Sequence, residues 1–310
     1  MRIKHHTLLL FSGLAALLLL CSACSTSVGT GSGSPQSSLS VLQVLQNSQK
    51  AMSKLKSTHI NLQVTGSGQA LSSTAPTTGA VNFSLTGSGD EALPDQEEMR
   101  FTASQSVTNT TNALTEILSG NKIYTQIGGQ WYMLDSSTSG VGNPFAGLGS
   151  PDMTELLGLL VYTHIIDHGD QSLNGLTLRH ITLQLDKPAL KQLLDSDQQL
   201  VNMLGQQNID ALIDNAKSIN ATLDLWIDET QFYVHRSELK LNLNVNAASL
   251  SQSVTPTVSP TIKTLIPSNV ITNLDSIVDL SKFNEIVSIT PPANAIPVAI
   301  PTITPTATPG

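Results

Sequence analysis

VLQNSQKAMSKLKSTHINLQVTGSG, residues 44–68, changes its period halfway along, and the reading of the fold starts from that change. On the upstream side Val41, Leu42, Leu45, Ser48, Met52 and Leu55 share a face at helical spacing, with Gln, Asn and Lys opposite. The spacing predicts one amphipathic helix over residues 39–56. On the downstream side His59 to Thr65 alternates apolar and polar at period 2, as do 81–85 and 99–103. Three further strands are predicted at 112–118, 121–127 and 130–135, with Gly120-Asn121 and Gly128-Gly129 as tight turns. One helix followed by an antiparallel meander with a single apolar face is the expectation.

Working outward, residues 136–150 are rich in Ser, Gly and Pro, and 151–162 reads as a short helix. Strands resume at 165–167 and 176–186 around Asn174-Gly175. Residues 187–217 read as helical, with Pro188 in the first turn and a split at Gly205. Two long strands follow at 219–228 and 232–245, then an exposed loop at 246–270, a final strand or bent pair within 278–290, and a Pro/Thr tail from 293 to 310 that is expected to be extended and unpacked. The fold class expected is α+β: a curled antiparallel sheet, an incomplete β-barrel of about ten strands, enclosing or covered by a few helices. The domain spans residues 39–292.

The N-terminus sets the compartment. Residues 1–23 carry Arg2 and Lys4 ahead of the apolar run Thr7 to Leu20, the pattern of an export signal. Ser22-Ala23 directly before Cys24 resembles a bacterial lipobox, so Cys24 is expected to be acylated (diacylglyceryl, palmitate) and to hold the protein at the outer face of the cell membrane. Residues 24–38 then form a Ser/Gly tether. Cys21 and Cys24 are the chain's two cysteines, so a mature chain cut before Cys24 has no disulfide partner and no thiol for catalysis. Of 15 Lys+Arg and 23 Asp+Glu, cleavage removes Arg2 and Lys4 and no acid, leaving 13 cations, 23 acids and a net charge of −10. Nucleic acid is excluded as a partner, because that affinity comes mostly from cations on phosphates.

Five segments resemble one family in order and spacing. They are the opening passage at 44–68, NKIYTQIGGQWYMLD (121–135), NGLTLRHITLQLD (174–186), LDLWIDETQFYVHRSELKL (223–241) and LSKFNEIVSITPP (280–292). Together they resemble the mycobacterial LppX/LprAFG-type lipoproteins. The resemblance implies an incomplete antiparallel barrel related to the carriers LolA and LolB, with an apolar interior that holds acyl chains of lipids or lipoglycans. The implied protein is a lipid-binding lipoprotein of the cell envelope. The chain departs from that pattern in its 246–270 loop and its Pro/Thr tail.

No catalytic constellation is present. G-x-S-x-G, the Walker A loop and G-x-G-x-x-G are all missing, and Gly87-Ser88-Gly89 and Gly147-Leu148-Gly149 read as turns. Asp167-His168 is a triad fragment without an elbow, and Asp195-Ser196-Asp197 lacks the glycine and distal glutamate of a calcium loop. His164 and His168 would share a face on a helix, but on a strand about 13 Å separates them, too far for one ion. Ile165-Ile166 and Gly169 favour the strand, so solvated histidines and no metal or cofactor are expected.

The alternating residues Ile60, Leu62, Val64, Phe83, Leu85, Phe101, Leu223, Leu225, Leu241 and Leu243 suit two readings equally. They pack a solid core, or they line a pocket for acyl chains; the family resemblance implies the pocket. Tyr124 and Trp131, with Tyr132, either pack their hairpin on the core or form a cavity rim that meets a headgroup or the membrane. The function expected is non-enzymatic: a membrane-anchored lipoprotein that binds, and on the resemblance carries, a lipid or glycolipid. The alternative is a structural or sensory envelope lipoprotein with a packed core, reaching an envelope partner through its loop or tail.

Overall fold

The alternation at 59–65 extends in both directions in the computed structural model, giving β1 (Ser57–Leu71). The structure describes residues 39–71, 80–106, 110–135, 157–158, 160, 163–196, 206–245 and 269–298. The export signal, Cys24, the tether, the Gly205 split, nearly all of the 246–270 loop and the tail beyond 298 lie outside the described residues. So does most of the short helix expected over 151–162, apart from helical Leu157-Gly158.

Before β1 stands α1 (Val41–Met52), opened by a reciprocal cap. Gln43 N donates to Ser40 Oγ at 3.3 Å, and Ser40 N donates to Gln43 Oε1 at 2.8 Å. Val44, Leu45, Ser48 and Met52 are buried, but Leu42 is 40% exposed. The inward position assigned to Leu42 belongs to Val44, because Val44, Ser48 and Met52 recur every four residues while Leu42 sits a quarter-turn off that stripe.

The remaining strands are β2 (Val81–Ala92), β3 (Gln96–Gln105), β4 (Thr110–Ser119), β5 (Lys122–Ile127), β6 (Gln130–Asp135), β7 (Thr163–Leu173), β8 (Leu176–Leu185), β9 (Ala216–Ile227), β10 (Val234–Val245), β11 (Asn269–Ser281) and β12 (Ile296–Pro297). Between β8 and β9 come α2 (Lys187–Ser196) and α3 (Gln206–Asp214). Asp186 caps α2, accepting from Ala189 N at 2.8 Å. The turns at Gly128-Gly129 and Asn174-Gly175 have positive φ at both residues, as two-residue hairpins of this hand require.

All strands join one sheet in the order β12-β6-β5-β4-β3-β2-β1-β11-β10-β9-β8-β7. Two meanders meet where β11 returns to the first strand, in register from His59↔Ser281 to Leu71↔Asn269. The ladders are antiparallel except for β12, which lies parallel on β6 through Ile296↔Tyr132 and Pro297↔Met133. β7 and β12 are the two edges, so the sheet is open. Twelve strands with one apolar face fit an incomplete barrel, since open sheets of this size curl.

Five expectations are corrected. The described residues hold twelve strands rather than about ten, and they are dominated by sheet rather than balanced as α+β. Gly87-Ser88-Gly89 lies inside β2 and is not a turn. β11 begins at Asn269 and includes 271–277, which the pattern left unassigned; its inward position 276 is a serine and its outward position 277 an isoleucine, which hides the alternation. Ile296-Pro297, placed in the unpacked tail, are docked on β6, where Val298 N also donates to Met133 O at 2.8 Å.

Candidate functional site

Register decides which side chains share a face. Ile60, Leu62 and Val64 of β1 sit opposite Leu280, Val278 and Ser276 of β11, and Leu223 and Leu225 of β9 sit opposite Leu183 and Ile181 of β8. These positions point inward and are buried. Six of the proposed lining residues (Ile60, Leu62, Val64, Phe101, Leu223 and Leu225) fall in one core cluster with Val44, Leu45 and Met52 of α1, Ala189 and Leu190 of α2, and Ile209 and Ile213 of α3. Phe83, Leu85 and Leu241 are partly buried and pack against it. Leu243 is buried near the end of β10 and lies outside that cluster. The structure therefore brings nine of the ten together on one aliphatic face.

Glycines let large side chains lie across the β1–β3 part of this face. A Cβ on Gly66 would come within 2.1 Å of Phe83 Cζ, and one on Gly87 within 2.9 Å of Phe101 Cδ1. In each case the aromatic residue is the direct cross-strand partner of the glycine, an arrangement that fills the space left by the missing side chain.

Two clusters of buried charge flank the aliphatic region. In the first, Arg179 of β8 donates to Asp167 Oδ1 at 3.1 Å and to Asp167 Oδ2 at 2.7 Å. It also donates to Glu229 Oε1 at 2.7 Å and to Leu39 O at 3.1 Å, tying the approach to α1 to the β8 end of the sheet. In the second, Glu91 faces Glu97 across β2 and β3, and Glu116 of β4 faces Met99. These carboxyls share the face of Ile60 and Met99 and are all buried. Glu91 Oε2 and Glu97 Oε1 have no hydrogen-bond partner. Burial raises the Glu91 carboxyl to about 7 and that of Glu116 to about 8. Burial, with the charges of Glu91 and Glu116 added, raises Glu97 to about 9. At neutral pH Glu97 and Glu116 are mainly protonated and offer O–H donors on an otherwise apolar face.

Sequence reasoning passed over these glutamates. Their signal was parity: Glu97 shares the alternation of Met99 and Phe101.

Tyr124 and Trp131 lie on the β5–β6 hairpin and are half-buried. Beside them Ile127, Ile296 and Val298 are 49%, 48% and 46% exposed, so this edge of the sheet is apolar and wet. Two open grooves lie along the sheet. One of about 620 Å³ is lined by polar residues including Asn82, Thr222, Lys240 and Asp275 together with Phe83, Leu241 and Leu274. Another of about 450 Å³ is bordered by Asn61, Gln63, Arg100, Arg236 and Asp279 among others. The first therefore combines polar groups with Phe83, Leu241 and Leu274, and the second is mixed in character. His164 and His168 lie on a strand, as their neighbours predicted, and do not form a pair; His168 instead meets His180 and Asp224.

No family model matches the sequence, and no curated protein matches it. In shape the chain is similar to the crystal structure of LprF from Mycobacterium bovis, with a TM-score of 0.40 and 18% identity over 81% of this chain and 95% of that one. It is likewise similar to the lipoprotein LppX from Mycobacterium tuberculosis, with a TM-score of 0.39 and 15% identity over 81% of this chain and all of that one.

Proposed function

We propose that the chain is an exported, lipid-anchored protein that binds one amphiphile, a lipid or glycolipid, against the inward face of its sheet, without chemistry on the ligand. The observation that carries this reading is the continuous aliphatic face beneath three short helices. Such a face has no polar selectivity along most of its length. Each CH₂ it buries contributes about 0.8 kcal/mol, so a single acyl chain supplies ample affinity. Protonated Glu97 and Glu116 are the donors available to a headgroup oxygen. The lipobox-like Ser22-Ala23-Cys24 and the resemblance of five ordered segments to lipid-binding envelope lipoproteins support the same reading. In this proposal Cys24 anchors, the Ser/Gly tether gives reach, and the Tyr124–Trp131 hairpin is the rim at which the ligand enters.

One observation favours a second reading. Ile60, Val64, Leu223 and Leu225 are 0% exposed, so the face is filled by the protein's own side chains. A filled interior suits a structural or sensory envelope lipoprotein without ligand. Native mass spectrometry of the chain from residue 24 onward, carrying Cys24→Ser, separates the two. A co-purifying lipid in near-stoichiometric amount is the expected result. A mass that stays ligand-free after incubation with envelope lipids would overturn the binding proposal and leave the structural one.

A further inference from the structure

Away from the aliphatic face, three neighbouring strands bring two imidazoles and a carboxylate together. His168 comes from β7, His180 from β8 and Asp224 from β9, and one ligand atom of each lies within 4.8 Å of the other two. The placement depends on a bulge. Asp167 pairs with Ile181 and Gly169 with His180, so His168 is the extra residue between them, and Gly169 takes φ +68° to complete the irregularity. The bulge stacks the His168 ring on His180, with centroids 4.4 Å apart and planes at 18°. Trp226, directly across from His180, stacks on the other side at 4.4 Å and 3°.

Both imidazoles address one hydroxyl–carboxylate pair. His180 Nε2 lies 2.8 Å from Asp224 Oδ1, and His168 Nε2 lies 2.9 Å from Thr182 Oγ1, which itself donates to Asp224 Oδ1. Lys240, whose charge acts on this carboxylate, is itself paired with Glu238 at 2.6 Å and makes no ion pair with Asp224.

We propose that His168, His180 and Asp224 form a site for a divalent transition-metal ion of the zinc class. Two imidazoles and one carboxylate are the donor set that zinc, nickel and cupric ions take, and three protein ligands leave a fourth position for water. Ligands about 2.0–2.2 Å from a tetrahedral ion lie roughly 3.3–3.6 Å from each other, inside the spread seen here. Coordination requires His168 to turn out of its stack and point a lone pair at the ion, which its exposure allows, while His180 is held against Trp226. His180 Nδ1 is buried and makes no hydrogen bond, so the ring lacks the acceptor that usually strengthens a metal-bound histidine. The expected affinity is therefore in the micromolar range. β7 is an edge of the sheet, and a bound ion would clamp it to β8 and β9. The site is separate from the amphiphile proposal and does not depend on it.

The test is calorimetric titration of the thiol-free mature chain (Cys24→Ser) with zinc chloride, alongside thermal melts. One ion should bind with Kd on the order of 1–10 µM, and excess zinc should raise Tm by about 5 °C. His168→Ala, at an exposed position, should weaken binding at least tenfold, as should Asp224→Asn, whereas His164→Ala should leave it unchanged. Cupric ion should quench the emission of Trp226 in the parent and not in His168→Ala. The absence of binding up to 1 mM zinc, or undiminished binding in a folded His168→Ala, would overturn the proposal.

Discussion

Around β7, β8 and β9, Arg179 is 2% exposed and lies between Asp167 and Glu229; around β2, β3 and β4, Glu91, Glu97 and Glu116 are 6%, 5% and 8% exposed, and no cation among the described residues pairs with them. The two walls also fill their inward faces differently. In β8 and β9, Ile181, Leu183, Leu223, Leu225 and Ile227 occupy successive inward positions. In β1 and β2, Gly66 and Gly87 leave gaps that Phe83 and Phe101 cover from the next strand. The difference teaches that one wall is fixed by counter-charges and branched side chains, and the other by protons and borrowed rings. A buried charge keeps its state when its partner is a side chain, and surrenders it to pH when its partner is a proton.

The largest expected effect tests the fixed wall. Arg179→Met leaves Asp167 buried without its bidentate partner, and removing one member of a buried pair costs about 3–5 kcal/mol. Urea unfolding followed by circular dichroism should show the midpoint fall accordingly. Adding Asp167→Asn should restore a good part of the loss, because the more deeply buried carboxylate is then neutral and only the partly exposed Glu229 is left without its partner. A cost under about 1 kcal/mol for Arg179→Met would show that this wall does not rely on its ions, and the contrast would collapse.

Next in size is the pH response of the other wall. The unfolded chain releases the glutamate protons near 4.5, whereas the folded chain holds them to about 7, 9 and 8 at Glu91, Glu97 and Glu116. Between those limits the folded state binds more protons, so stability falls as pH rises. The contribution is fully present below about pH 4.5, declines through 7 to 9, and levels off above. Melts at pH 5.5 and 9 should differ, with the lower Tm at pH 9. Glu97→Gln, which imitates the protonated acid, should be near-neutral at pH 5.5 and stabilise by about 1–3 kcal/mol at pH 9. A Glu97→Gln variant with the same pH profile as the parent would refute a proton-held wall.

How much of this was legible depends on what occupies the inward positions. α1, the β5–β6 hairpin, β8, β9 and β10 announce themselves because aliphatic residues fall at the inward beats of their period. β11 is only half legible because Ser276 points in and Ile277 out. The middle of β2 is hidden because Gly87 and Gly89 do their packing through Phe101 and Met99 of the next strand, a relation that no single-strand pattern contains. Of the site, the aliphatic members were readable. The buried glutamates break the rule that inward means apolar, although Glu97 keeps the parity of Met99. The meeting of His168, His180 and Asp224 depends on a bulge and on pairing across three strands. Neither is written in local spacing, so the pattern shows only His164 and His168, which a strand holds too far apart to share an ion.

The smallest effect is the sharpest in sign. Gly66 and Gly68 are neighbours of the same parity in β1, and neither has the left-handed backbone that would forbid a side chain. A Cβ at Gly66 meets the Phe83 ring at 2.1 Å, so Gly66→Ala must push that ring off the inward face, a cost of about 1–3 kcal/mol. A Cβ at Gly68 meets nothing within 4 Å, and Gly68→Ala should stabilise by about 0.4–1 kcal/mol by restricting the unfolded chain. Chemical denaturation of the two variants should therefore move the midpoint in opposite directions. Shortening the ring in Gly66→Ala/Phe83→Leu should recover stability relative to Gly66→Ala alone, because the clash is with the ring tip and not with backbone. Equal shifts for the two alanines would mean that Phe83 does not hold its place over Gly66, and that this wall is filled some other way.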